Sequence, residues 1–175
     1  MAHHITPSRR QVCGLTRASV LSTNAFSAVI GAAALLMSTP VSAGVLDSLD
    51  GSWAGGGNVT FDGGAKEKLR CNGYYKSGGD ALSMAIKCAS AGGAKIELRG
   101  TMKNSGGKVS GAWEERTYNA GGDIAGSASA GSLKIGITGT ITGNMSLSFS
   151  QSSQTVAIST TGSTLRTVNI SFNRN

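Results

Sequence analysis

The sequence predicts an all-β fold: an antiparallel up-and-down β-barrel of eight to ten short strands, with a β-sandwich as the alternative. Three observations predict it. Apolar and polar side chains alternate with period two through most of residues 44–175, as they do in strands with one dry face. Gly-, Ser- and Asn-rich turn signals separate the alternating runs at a spacing of about 10–13 residues, and no helical pattern is long enough to cross over between parallel strands. Finally, both prolines (Pro7 and Pro40) precede residue 44, so every backbone donor beyond it is free to join a ladder. A closed barrel uses that freedom fully, because closure leaves no edge. Of the 26 glycines only Gly14 and Gly31 precede residue 44; the others mark turns and the sharp bends of a small barrel.

Residues 1–43 read as an export leader. Arg9, Arg10 and Arg17 make a basic start, an apolar segment follows over 25–37, and Val41 and Ala43 suit cleavage after Ala43. The apolar segment is shorter than the roughly 20 residues that span a bilayer, so no membrane span is expected after cleavage. Ser8-Arg9-Arg10-Gln11-Val12 leaves the twin-arginine route open. Cys13 precedes the apolar run and belongs to the leader. The mature chain is then a single domain over 44–175, expected as a periplasmic or secreted monomer.

Taken in order, Val45–Asp50 can form one helical turn, with Val45, Leu46 and Leu49 on one side. Gly51-Ser52-Trp53 opens the first strand, in which Trp53, Val59 and Phe61 are in phase. After the Asp62-Gly63-Gly64 turn come two strands that each supply a cysteine. Leu69, Cys71, Gly73 and Tyr75 share one face of the first; Leu82, Met84, Ile86 and Cys88 share one face of the second. Folding this hairpin about Gly79 sets Cys71 opposite Cys88. An even cysteine count in an oxidising compartment predicts a disulfide, worth about 3 kcal/mol for a loop of this length. Residues 94–102 alternate next, then Val109, Gly111 and Trp113. The small, weakly patterned segment 119–131 reads either as a loop or as a strand crowded against a neighbour. Three further strands carry Leu133, Ile135 and Ile137, then Met145, Leu147 and Phe149, then Val156 and Ile158. The last places Arg166, Val168, Ile170, Phe172 and Arg174 in one register.

Gly51-Ser52-Trp53, at the mouth of the first strand, resembles the Gly-x-Trp signature of the lipocalin and avidin group of barrels (calycins). That resemblance implies a tryptophan closing one barrel end beneath a basic residue near the end of the last strand. Trp53 and Arg174 are the matching pair, and a cation over an indole is worth roughly 0.5–2 kcal/mol. The chain also resembles small secreted proteins of Gram-negative bacteria, a likeness that implies no activity.

Chemistry is constrained by what the mature chain lacks. His3 and His4 both lie in the leader and the two remaining cysteines are expected to pair, so the commonest nucleophile–base arrangements cannot be built. The protein is therefore expected not to be an enzyme and to need no cofactor. No metal-binding motif is present, and the aspartates sit mostly in glycine turns. Thirteen Lys/Arg against nine Asp/Glu remain after the three leader arginines are removed, without the aromatic interleaving that nucleic-acid binding needs. Tyr75, Trp113, Glu115 and Phe172 fall on inward parities and are the candidate lining of an interior pocket. These features predict an exported binding module for a small apolar molecule or a protein partner. The alternatives are an envelope protein that binds or inhibits a cell-wall enzyme through its loops, and an outer-membrane barrel.

Overall fold

The computed structural model describes residues 44–175; the expected leader and its expected cleavage after Ala43 lie outside the described residues. Ten strands form one ring: β1 (Gly51–Phe61), β2 (Lys66–Gly78), β3 (Ala81–Ser90), β4 (Lys95–Ser105), β5 (Lys108–Glu115), β6 (Ala120–Ser129), β7 (Ser132–Gly139), β8 (Thr142–Phe149), β9 (Ser153–Thr161) and β10 (Leu165–Arg174). Each strand pairs antiparallel with its neighbours in sequence, and β1 pairs with β10 to close the ring. The architecture is thus the up-and-down barrel, not the sandwich. Following paired residues around the wall shows its tilt: Trp53 aligns with Gly73, Ile86, Leu98 and then Glu115. A position near the start of β1 therefore shares a row with the end of β5, the stagger that closure of a barrel requires.

The core is the inward half of each alternation. Trp53, Val59, Leu133, Leu147 and Val156 have no measurable exposure, and the interior cluster continues through every strand. Cys71 and Cys88 are paired directly across β2 and β3 and form a disulfide, with their Cα atoms 4.1 Å apart. The weakly patterned segment resolves as a strand, β6. Its small residues have a packing reason: a Cβ on Gly122 or Gly126 would collide with the backbone of β7 at Thr138 or Lys134. The two strands approach so closely there that only glycine fits.

One expected register is not kept. Thr60 pairs with Thr167 but Phe61 pairs with Leu165, leaving Arg166 as the extra residue of a bulge. Arg166 is consequently exposed and pairs with Asp62, while Val168 two residues later is buried. The bulge turns the strand's first residues over, so Arg166 does not share the face of Val168, Ile170 and Phe172.

The outer wall is mainly polar, interrupted by small residues such as Ala89, Ala112 and Ala125. Among the described residues only Tyr74 and Tyr118 are large hydrophobic side chains with substantial exposure. An outer-membrane barrel needs an outward apolar band about 25 Å tall, and this wall has none. No described helix is long and apolar enough to cross a membrane.

Candidate functional site

The two ends of the barrel differ, and the difference begins with the chain preceding β1. Residues 47–49 form a short 3₁₀ turn that carries Leu46 and Leu49, both almost fully buried, beneath the lower end. The Trp53 indole N–H donates to the Leu49 carbonyl at 2.9 Å, which fixes the turn to the floor of the barrel. The Arg174 guanidinium lies 4.2 Å from the centroid of the Trp53 ring. Its nitrogens donate to the carbonyls of Ser48, Asp50 and Gln151, so one side chain ties the turn, the indole and the 150–152 loop together. Gly51 has φ +121°, and a Cβ there would strike the Arg174 guanidinium. Both facts demand glycine at that point of Gly-Ser-Trp. The lower end is plugged.

Two of the four expected pocket residues belong to this plug. Tyr75, Phe172 and Trp53 crowd around the bare Cα of Gly73, so the aromatic rings fill the space that a side chain there would take. Tyr75 and Phe172 therefore pack into the closed lower end and do not line the cavity at the upper end; the missing side chain of Gly73 makes room for them. The Tyr75 hydroxyl and both amide atoms of Gln154 are buried without a hydrogen-bond partner. Burial pushes the Tyr75 pKa up, and the nearby Gln154 amide opposes that shift without reaching hydrogen-bonding geometry. Because burial holds the phenol neutral in the fold, its ionisation leaves stability unchanged below the unfolded pKa of about 10 and lowers it as pH rises further, when the unfolded chain loses the proton and the fold does not. Urea unfolding of Tyr75→Phe should then lack part of the wild-type loss of stability above pH 10. At neutral pH it should be more stable by about 1 kcal/mol, since an unpaired buried hydroxyl is removed.

The upper end is open. There Ile96, Leu98, Trp113, Ile137, Ile158 and Val168 line a cavity of about 260 Å³, with Tyr118 and Ile141 at its mouth. Trp113 and Glu115, the other two expected residues, do line it. Both already have protein partners. The Trp113 indole N–H donates to the Thr138 carbonyl at 3.1 Å. The Glu115 carboxylate accepts the backbone N–H groups of Glu97 and Tyr118, each at 2.6 Å, and so fastens the turn after β5 to β4. The Thr160 hydroxyl donates to the Leu165 carbonyl. What faces the cavity is thus mainly apolar surface. A larger hollow of about 590 Å³ lies on the outside of the wall among Tyr74, Lys76, Arg99 and Glu114, where solvent remains in contact with any occupant. Of these two hollows, the interior one is the one that can take an apolar molecule out of water.

The aliphatic lining went unnamed in the sequence because any inward strand residue looks alike there, whether it faces a packed floor or an open mouth. Among the described residues no cluster of His, Cys, Asp or Glu is arranged to hold a metal ion.

The molecule is therefore a small closed β-barrel, plugged at one end and hollow at the other. No protein-family model matches the chain, and no curated protein matches it significantly. Its fold is similar to that of Rv2717c from M. tuberculosis, with a TM-score of 0.57 and 15% identity over 76% of this chain and 98% of that one. It is also similar to the S-type phycobiliprotein lyase CPES from Guillardia theta, with a TM-score of 0.50 and 12% identity over 74% of this chain and 89% of that one. At these identities the likeness is one of fold.

Proposed function

We propose that this protein is an exported, non-enzymatic binding module that takes one small apolar molecule through the open upper end of its barrel. The observation that carries the reading is the mainly apolar cavity of about 260 Å³, in which the polar groups of Trp113 and Glu115 already have protein partners. An engineered apolar cavity of about 150 Å³ holds benzene, and drug-sized ligands fill roughly 300–1,000 Å³. The expected ligand therefore has one or two rings, or a short branched chain, and little polarity. The disulfide supports an oxidising address outside the cytoplasm. The non-enzymatic reading rests on the histidine-free sequence beyond residue 43 and the paired cysteines.

Thermal unfolding with naphthalene and indole as probes, alongside native mass spectrometry of protein purified from its own host, tests this. A site filled at 100 times its dissociation constant stabilises the fold by about 2.7 kcal/mol. Ile141→Trp, at the partly exposed mouth, should abolish the probe-induced shift while leaving the probe-free midpoint in place. No shift with either probe, together with a bare chain from the host, would overturn the proposal and favour a protein partner bound through the loops.

A further inference from the structure

The charges of this barrel are sorted by wall. Residues 66–116 carry ten Lys/Arg against five Asp/Glu, a net +5, whereas the rest of residues 44–175 carry three against four, a net −1. The strand alternation turns nine of the ten cations outward, and the tenth, Arg116, lies exposed just after β5. Lys66, Lys68, Arg70 and Lys76 occupy outward positions of β2, Lys87 of β3, and Lys95, Arg99 and Lys103 of β4, and all are exposed. The opposite wall, β7 to β10, presents residues such as Ser146, Ser148, Thr155, Ser159, Asn169 and Ser171, with Lys134 on β7 and Arg166 on β10, the latter paired with Asp62, as its exposed cations.

Part of the basic wall is internally neutralised. Glu97 lies 3.1 Å from Arg99 and 3.6 Å from both Lys87 and Arg116, and Glu114 reaches Arg99 and Arg116 at 3.9 and 4.0 Å. The hydrogen bond from Arg99, aided by Lys87 and Arg116, holds the Glu97 carboxyl below the usual carboxylate range. Among the described residues no carboxylate forms an ion pair with Lys66, Lys68, Arg70, Lys95, Lys103 or Lys108. Outward neighbours on a strand stand about 7 Å apart and adjacent strands about 4.8 Å apart, so Lys66, Lys68 and Arg70 form one row. Lys95 lies two strands across from Arg70, beyond Ala89.

We propose that this wall docks the barrel, lying on its side, onto the surface of an anionic lipid membrane. Three features select a membrane over other polyanions. The unpaired cations spread over three strands in two dimensions, which matches a plane of headgroups better than a single chain. The hollow on this wall, where a chain would be gripped, contains the carboxylate of Glu114 and an already paired Arg99. Tyr74, 51% exposed, stands on β2 between Arg70 and Lys76, and tyrosine suits the headgroup level, where one end of the ring is dry and the other wet. Charges within about 10 Å of the plane act at moderate salt, a depth that includes β2, β3 and β4 together. The neutral far wall then faces away, which fixes the orientation.

The test is co-sedimentation of the protein with phosphatidylcholine vesicles, with and without 30% phosphatidylglycerol. Binding is expected only to the anionic vesicles at low salt, with release at 0.5 M NaCl. Each Lys or Arg near such a surface contributes about a fivefold affinity gain, so Lys66→Gln/Lys68→Gln/Arg70→Gln should weaken binding on the order of 100-fold. Lys134→Gln, on the other wall, should change it by less than about twofold. Wild type and variants are compared with the same N-terminus, so any contribution of residues 1–43 cancels and the comparison isolates the barrel wall. Circular dichroism confirms that the triple variant is folded. Equal binding to neutral vesicles, unchanged binding by the triple variant, no binding at low salt, or tighter binding to soluble polygalacturonate than to anionic vesicles each overturns the proposal. The last outcome would assign the wall to an acidic glycan.

Discussion

Replacing Trp53 with alanine is expected to lower the unfolding free energy by about 3–5 kcal/mol, the range for deleting a large buried aromatic side chain. The high end applies here because the loss does not stop at the ring. Trp53 has no measurable exposure, and its indole N–H holds the Leu49 carbonyl. Without it, Leu46 and Leu49 lose the floor against which they pack, and Arg174 loses the surface beneath its guanidinium. A small domain has only about 5–15 kcal/mol in all, so the variant should unfold at markedly lower urea. Arg174→Lys is the informative companion. Lysine keeps a cation near the indole but cannot donate in a fixed fork to Ser48, Asp50 and Gln151. If the plug acts as a unit, combining Arg174→Lys with Trp53→Ala costs less than the sum of the two, by the 0.5–3 kcal/mol typical of contacting residues. Strict additivity in urea titrations, or a Trp53→Ala cost below 1 kcal/mol, would show that the lower end is held by the strands alone.

The plug and the hairpin were legible in the sequence for the same reason. Each depends on period-two parity plus one local signal, Gly-x-Trp for Trp53 and the Ser77–Asp80 turn for the cysteines. Parity fails where the backbone adds a residue. Arg166 lies in a bulge whose cause is the pairing of Phe61 with Leu165, a long-range event with no mark in the local sequence. Parity also says which face, not which height. Tyr75 and Trp113 are both inward, yet the tilt of the wall sends one to the plugged floor and the other to the open mouth. Height follows from the stagger between strands, and stagger is a property of the closed ring. The aliphatic cavity was invisible for this reason. Its residues are ordinary core residues that happen to lie above the level at which opposing side chains meet.

Reduction of Cys71–Cys88 is expected to destabilise the barrel by about 3 kcal/mol, because the loop it closes is of the order of 15 residues. The sequence separation is 17, and the bridge lies within one hairpin whose strands are hydrogen-bonded neighbours in any case. Its effect should therefore fall on the unfolded chain, which loses conformational freedom when the two strands are tethered, and hardly at all on the folded barrel. The folded, reduced protein should keep its upper cavity and its probe-induced thermal shift while unfolding at lower temperature. Two measurements separate this from loss of packing. Both sulfurs are inward and almost fully buried, so Cys71→Ala/Cys88→Ala adds a packing loss to the lost tether and should fall below the reduced wild type. Burial also means that a reductant reaches the bond only when the hairpin opens, so the reduction rate should track mild denaturant. Equal unfolding midpoints for the oxidised and reduced protein would show that the hairpin stays closed without its tether, and the bond could then not be counted among the forces that hold the wall at β2 and β3.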